Sequence, residues 1–113
     1  MHELGVVCEV VRMVEEVARE QRLRKIETLV LQIGQLSPMI PDYVRQCYPA
    51  AADGTLLQET KLEIEILPAN GLCQGCGQVF NVVEHRKICP RCGGEDWDLL
   101  GGREFNIKEI VAC

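Results

Sequence analysis

Four cysteines in two matched turns are the residues of this chain best placed to do chemistry. They occur as Cys73-Gln-Gly-Cys76-Gly and Cys89-Pro-Arg-Cys92-Gly, so each turn has Cys-x-x-Cys spacing followed by a glycine. Such a turn brings two thiolates to one point, and the glycine accepts the backbone angles of the tight turn. Four sulfur donors in a tetrahedron suit Zn²⁺ in a closed structural site. The spacing therefore predicts a zinc ribbon, with residues 77–88 forming a hairpin between the turns.

A site with four protein ligands has no open position for a substrate, so this zinc is expected to be structural rather than catalytic. A short ribbon with few apolar residues cannot bury enough surface to fold unaided. Metal binding is expected to supply its folding free energy, on the order of 10–16 kcal/mol at neutral pH. Its small apolar cap is predicted to contain Phe80, Val82, Ile88 and Trp97. Disulfides and a redox dithiol are the alternatives to zinc binding, and the close similarity of the two turns makes both less favoured.

The opening residues Met1-His2-Glu3 form a second candidate metal site. A free amino group, the amide nitrogen of His2 and its imidazole can close two fused chelate rings around Ni²⁺ or Cu²⁺. The fourth donor is left open between the backbone amide or carboxylate of Glu3, water, and a group from elsewhere. Protonation of His2 near neutral pH would release the ion. A lone histidine at position 2 is more often a solvated residue, so the residues alone favour this site only weakly.

Four other residues are weaker candidates. His85, between the cysteine turns, is either a solvated residue or an additional metal ligand. Cys8 and Cys47 fall near apolar helix faces and are predicted to be small core residues. Cys113 is expected to lie at a frayed end. The sequence contains no phosphate-binding glycine loop, no Ser/His/Asp set and no nucleophile with a base, so no enzymatic activity is predicted.

Apolar periodicity predicts the elements that position these residues. Residues 4–22 have the i, i+3, i+4, i+7 spacing of an amphipathic helix. Its apolar stripe comprises Leu4, Val7, Val10, Val11, Val14, Val17 and Ala18. The further predicted elements are a strand over 25–35, a helix over 41–52, a strand over 60–67 and a final strand over 103–111. The second helix would turn Val44, Cys47, Tyr48 and Ala51 inward, with a disturbance at Pro49.

These elements predict an α+β protein, in which a small sheet packs with two helices and a zinc ribbon forms a second domain. The first domain is expected to span residues 1–69 and the ribbon residues 70–100. We expect the C-terminal strand, 103–112, to complete the first sheet, because Phe105 and Ile107 need a larger apolar surface than the ribbon offers. An exposed sheet edge would allow two chains to pair, so monomer and homodimer are both open.

Composition excludes several function classes. Only 4% of the 113 residues are aromatic, and the formal net charge is −5, so the chain lacks the basic footprint of a nucleic-acid-binding protein. No signal peptide is visible, and no apolar run approaches the roughly 20 residues of a membrane span. Seven cysteines, an odd number, favour metal binding in a reducing cytosol over a disulfide framework. A cytoplasmic protein with no membrane or nucleic-acid partner is expected.

Several segments occur together in this chain: Met1-His2-Glu3-Leu4, Ile33-Gly34-Gln35-Leu36-Ser37 with Pro41 after it, Gly54-Thr55-Leu56-Leu57, Leu62-Glu63-Ile64-Glu65, the two cysteine turns, and Gly102-Arg103-Glu104-Phe105-Asn106-Ile107. In this combination they resemble the HypA/HybF family of hydrogenase nickel-incorporation proteins over nearly the whole chain. The cysteine turns alone are common to many zinc proteins. Together with a His-Glu start in a chain of this length, they are specific.

The resemblance implies a nickel metallochaperone that receives Ni²⁺ and helps deliver it to the large subunit of [NiFe]-hydrogenase, working with the accessory GTPase HypB. Some relatives also serve urease, so urease maturation proteins are further candidate partners. Nickel transfer would proceed by ligand exchange from an exposed, incomplete coordination shell. The residues to which the family's metal sites map are Met1, His2 and Glu3 for nickel, and Cys73, Cys76, Cys89 and Cys92 for zinc.

Two other function classes stay open at this point. A zinc-ribbon adaptor would bind a protein or nucleic-acid partner without nickel transfer, and for nucleic acid it predicts salt-sensitive binding, which the charge of −5 disfavours. A thiol redox enzyme using one Cys-x-x-Cys turn predicts a reactive thiol of low pKa and no bound zinc.

Overall fold

The structure of the protein is a computed structural model that describes residues 3–113. Two helices and six strands follow one another along the chain. In order they are α1 (Glu3–Gln21), β1 (Ile26–Gly34), α2 (Pro41–Ala52), β2 (Lys61–Leu67), β3 (Asn70–Cys73), β4 (Val79–Asn81), β5 (Trp97–Leu99) and β6 (Phe105–Ala112). The predicted α+β class, with two helices, a small sheet and a ribbon, is confirmed. No helix within residues 3–113 is long and apolar enough to cross a bilayer.

The strands form two three-stranded sheets, with the orders β2-β1-β6 and β4-β3-β5. The C-terminal strand lies beside β1, since the Gly34 N–H donates to Glu104 O and the Cys113 N–H donates to Lys25 O. These two bonds join opposite ends of the strands, so β1 and β6 are antiparallel.

The chain divides into two compact units. One contains the chain up to Gln32 together with Met39–Glu65 and Asn106–Cys113, and the other contains Ile33–Pro38 and Ile66–Phe105. The division into domains 1–69 and 70–100 stays a prediction. The compact units differ from it because they group the connection after β1 with the ribbon.

In the first unit, the predicted stripe of α1 forms the buried face. Val7, Val11 and Val14 are each at most 2% exposed. The expectation for the two outer members of the stripe was wrong, because Leu4 is 43% exposed and Val17 41%. At 100° per residue both lie about 70° from the centre of the buried face, one on each side. Periodicity therefore located the stripe but overestimated its width.

Helix α2 begins at Pro41. Proline has no N–H, and this costs nothing in the first turn, where an N–H group has no intrahelical acceptor. The helix runs through Pro49 to Ala52, and the Asp53 N–H donates to Pro49 O at 3.1 Å. Pro49 has no N–H of its own, so its disturbance amounts to one missing intrahelical hydrogen bond and does not end the helix. Its inner face is buried and includes Val44 and Tyr48. This face packs against α1, which provides the apolar surface that both helices need.

In the second unit, β3 pairs antiparallel with β4 on one side and β5 on the other. The core of the unit contains Ala69, Cys73, Phe80, Val82 and Cys89, with Leu36, Cys76, Trp97 and Leu99 packed against it. Ile88 was wrongly predicted to belong to the cap, since 45% of its surface is exposed. Ile88 lies at the end of the turn, where its N–H donates to His85 O, and the next residue, Cys89, is the buried one.

The connection after β1 belongs to this second unit through backbone hydrogen bonds. The Gln35 N–H donates to Leu67 O at 2.9 Å, and the Leu36 N–H donates to Gly102 O at 2.7 Å. The segments around Gly34 and Gly102 approach so closely that a Cβ on Gly34 would lie 2.1 Å from Gly102 O. Gly102 itself has a φ of +120°, and a Cβ there would lie 2.6 Å from the Ala69 Cα. Only glycine fits both positions.

Candidate metal centre

The two cysteine turns have the same backbone hydrogen bonds. In the first turn the Cys73 N–H donates to Gln78 O, and the Gly77 N–H donates to Cys73 O, both at 2.9 Å. The second turn repeats both bonds at 2.9 Å among Cys89, Gly93 and Gly94. Gly77 has a φ of +76° and Gly93 a φ of +75°. The expectation that these glycines would take unusual backbone angles is confirmed.

The four sulfurs converge, with the Sγ atoms of Cys73, Cys76, Cys89 and Cys92 all within 4.8 Å of one another. The Cys73–Cys92 and Cys76–Cys89 sulfur distances are 3.5 and 3.6 Å. A zinc ion with four sulfurs at about 2.3 Å has sulfur–sulfur edges of about 3.8 Å, and these two distances are within about 0.3 Å of that value. A Cβ on Gly94 would lie only 3.2 Å from the Cys92 Sγ, and glycine avoids this close contact with the sulfur.

The environment of the cluster shifts the pKa values of Cys89 and Cys92 in opposite directions. Burial is the largest influence on Cys89 and opposes its ionisation, yet amide N–H groups of Cys92 and Arg91 and neighbouring thiols lower the pKa of Cys89 to about 7. The Gly94 amide favours the thiolate of Cys92, but contacts with neighbouring thiols, that of Cys73 first, raise the pKa of Cys92 to about 12. The Cys89 thiol therefore loses its proton readily, whereas the Cys92 thiol keeps its proton. All four groups can be thiolates together only when a cation lies among them.

Aromatic side chains support the ribbon beside the sulfurs. The rings of Phe80 and Trp97 meet edge to face at 6.4 Å, and the Trp97 Nε1–H donates to Lys87 O at 3.0 Å. The imidazole of His85 lies against Phe80 at a ring distance of 6.2 Å. Among residues 3–113, the side chains close enough to share an ion are the four cysteines, and His85 is not one of them.

The predicted nickel site falls largely outside the part of the chain that the structure describes. Met1 and His2 are not among the described residues, whereas Glu3 begins α1 and its side chain is buried. The assignment of Met1, His2 and Glu3 to nickel stays a prediction.

The structure corrects two expectations for the remaining cysteines. Cys8 is exposed rather than part of the core, because it lies about 110° from the centre of the buried face of α1. Cys47 is half-buried. Cys113 is not frayed, since its N–H donates to Lys25 O at 3.1 Å and its carbonyl accepts from the Arg24 N–H at 3.0 Å.

Sequence reasoning missed the contribution of the connection after β1 to the metal-bearing unit. Leu36 packs against the core that contains Cys73 and Cys89, although it lies far from them in the chain. The segment Ile33-Gly34-Gln35-Leu36-Ser37 had been singled out by the resemblance, and this was the available signal. Its physical reason appears only in the structure, in the close approach of Gly34 to Gly102.

Comparison with known proteins agrees with this architecture. A family model described as "Hydrogenase/urease nickel incorporation, metallochaperone, hypA" matches residues 1–112. The hydrogenase maturation factor HypA of Dechloromonas aromatica is 34% identical over 110 residues, which are 97% of each chain. That of Geobacter sulfurreducens is 36% identical, again over 97% of each chain.

A solved structure shows the same fold. The Ni metallochaperone HypA from Helicobacter pylori is 23% identical and superposes with a TM-score of 0.67, covering 99% of this chain and 97% of that one. The adaptor alternative is not favoured, because the match extends over both the helical part and the ribbon. With a four-cysteine metal cluster and a family match along nearly its whole length, this chain belongs to the HypA family of nickel metallochaperones in hydrogenase maturation.

Proposed function

We propose that this protein binds Ni²⁺ at its N-terminus and hands it to [NiFe]-hydrogenase during maturation, while Zn²⁺ on the four cysteines holds the ribbon. The observation that carries the proposal is the family match over residues 1–112, which includes both the His2-Glu3 start and the cysteine turns. The family is a nickel-incorporation family, so the ion transferred is cargo, and the ion on the cysteines is resident.

The convergence of the four sulfurs supports zinc as the resident ion. Zn²⁺ favours four thiolates in a tetrahedron, and the two sulfur–sulfur distances of 3.5 and 3.6 Å are close to the edges of such a site. When bound, zinc would cross-link the two turns and supply folding free energy to the ribbon. With Cys73, Cys76, Cys89 and Cys92 all committed, no coordination position is left for a substrate.

The proposed nickel ligands are the Met1 amine with the amide and imidazole nitrogens of His2, and Glu3 is their neighbour. Two facts of the structure support this site. Helix α1 begins at Glu3, so the positive end of its dipole favours the neutral imidazole that binds metal. The Glu3 side chain is buried, which anchors the chain immediately after the proposed ligands.

The proposed mechanism is ligand exchange rather than catalysis, and the protein is proposed not to be an enzyme. A site made from one terminal amine and one histidine leaves coordination positions for a partner to occupy, and the partner then withdraws the ion. The proposed partners are the hydrogenase large subunit and the accessory GTPase HypB, with urease maturation proteins as further candidates. An odd number of cysteines, four of them proposed zinc ligands, supports action in the reducing cytoplasm.

Metal analysis with nickel titration tests this proposal, using protein that carries its native N-terminus. The wild type is expected to hold one zinc and to bind one nickel. The His2→Ala variant should keep its zinc and lose stoichiometric nickel binding, whereas the matched control His85→Ala should keep both. Cys73→Ser should lose zinc. Unchanged nickel affinity in His2→Ala would overturn the nickel site, and full zinc content in Cys73→Ser would overturn the four-thiolate site.

A further inference from the structure

The side chain of Gln35 connects the segment after β1 to two distant parts of the ribbon unit. Its Oε1 accepts a hydrogen bond from the Ala69 N–H at 2.8 Å and another from the Asn81 Nδ2 at 2.7 Å. Ala69 is completely buried in the core that contains two of the four cysteines. A single side-chain oxygen thus joins the start of the ribbon to the end of its β4 strand.

The hydrogen bond between Asn81 and Gln35 fixes the orientation of the Asn81 amide group. Its other amide atom, Oδ1, accepts from the N–H groups of Val83 and Glu84, both at 3.0 Å. An asparagine amide donates through its nitrogen and accepts through its oxygen, so reversing it would set two donors against two N–H groups. Because Gln35 accepts from the Nδ2, it selects the orientation in which the oxygen faces the turn.

The turn that Asn81 supports leads directly to a metal-binding thiol. The Lys87 N–H donates to Val82 O at 2.8 Å and closes the turn, two residues before Cys89. Arg86 and Lys87 have φ values of +53° and +68°, a left-handed conformation that is costly for residues other than glycine. Such a turn persists only with support from outside it. The two hydrogen bonds accepted by Asn81 support the start of the turn, and the bond from the Trp97 Nε1–H to Lys87 O supports its end.

We propose that Gln35 is a positioning residue for the metal centre: acting through Asn81, it holds the turn that places the Cys89 sulfur and thereby slows metal release. This inference rests on the zinc site proposed above. Partners that orient metal ligands typically change affinity or activity by about 10- to 100-fold when they are lost. Gln35 is exposed, so water competes for its hydrogen bonds, and we expect the lower end, about 10-fold faster release.

The test measures the rate at which zinc passes from the zinc-loaded full chain to an excess of a chromophoric chelator. Gln35→Met keeps the length of the side chain but removes the acceptor, and it should release zinc about 10-fold faster than the wild type. Gln35→Glu keeps an acceptor for both donors and should restore the wild-type rate. The matched control is Gln58→Met, which removes an exposed glutamine whose Oε1 accepts from the Gly54 N–H in the other unit; its release rate should be unchanged.

Two further measurements separate positioning from general loss of structure. The cobalt-substituted Gln35→Met variant should keep the wild-type absorption spectrum, because the four thiolates still bind. Adding Gln35→Met to Asn81→Ala should accelerate release no further than Asn81→Ala alone, because Gln35 acts through Asn81.

A wild-type release rate in Gln35→Met would overturn the proposal, as would an acceleration in Gln35→Glu equal to that in Gln35→Met. An altered cobalt spectrum, or faster release from the double variant than from Asn81→Ala alone, would overturn it too. Failure of the zinc site itself would look different, since the wild type would then hold no zinc or Cys73→Ser would retain it.

Discussion

Replacing Gly34 by alanine tests the close approach of the two chain segments that meet beside the ribbon. A Cβ at this position would lie 2.1 Å from Gly102 O, 2.2 Å from its carbonyl carbon and 2.7 Å from the Arg103 nitrogen. All three are backbone atoms, so no side-chain rotation can relieve the overlap. The φ of Gly34 is not in the left-handed region, and the cost to alanine is therefore one of packing rather than of backbone conformation.

The magnitude follows from how far the segments must separate. Real Cβ atoms essentially never approach another heavy atom within 3.0 Å, so the 2.1 Å contact requires a shift of at least 0.9 Å. The bond from the Leu36 N–H to Gly102 O, now 2.7 Å, would then lengthen to about 3.6 Å and be lost. Overpacking costs about 1–3 kcal/mol and each lost hydrogen bond about 1 kcal/mol. We expect the free energy of unfolding to fall by about 3 kcal/mol.

Urea unfolding of the zinc-loaded protein, followed by tryptophan fluorescence, measures this loss, because the one tryptophan of the chain, Trp97, lies in the affected unit. Gly101→Ala is the matched control in the same unit. Its Cβ would meet only the flexible carboxylate of Glu104, and we expect a change within about 0.5 kcal/mol. A loss below about 1 kcal/mol in Gly34→Ala would refute the reasoning, because it would mean that the segments separate without breaking their hydrogen bonds.

Two further predictions concern the first unit. Tyr48→Phe removes the hydroxyl that donates to Thr60 O at 3.2 Å, and it should lower the free energy of unfolding by about 1 kcal/mol in urea titrations at neutral pH. Burial raises the pKa of Tyr48 above its usual 10.0, so the stability due to the neutral phenol is complete below that pH and lost as the pH rises through the folded-state pKa; thermal melts of the Phe variant should lack this alkaline loss. Hydrogen bonds from Lys108 and then Gln32 hold the pKa of Glu65 below its usual 4.5, so its contribution is present above that pH and lost as the pH falls through the folded-state pKa. Glu65→Gln should therefore lose less stability than the wild type when melts are repeated at acidic pH, and equal losses would contradict the assignment.

The sequence alone determined the features that depend on residues near one another in the chain. Cys-x-x-Cys-Gly spacing specifies a turn whose geometry is local, so two copies were enough to predict the cysteine cluster. The valine stripe likewise predicted α1, because helical periodicity is a property of the segment itself. Pro41 marked the start of α2 for the same reason. The N-terminal nickel site was also inferred from adjacent residues, and it stays a proposal.

Tertiary structure decided which surfaces meet. Periodicity gives the direction of a side chain relative to its own element but not the partner of that element, and this is why Leu36 proved to pack against the ribbon and Ile88 did not. The left-handed backbone of Arg86 and Lys87 could not be predicted from the sequence, because no glycine occurs there and contacts from outside the turn hold it. The hydrogen bond between Gln35 and Asn81 joins residues 46 positions apart, and only the folded chain brings such groups together.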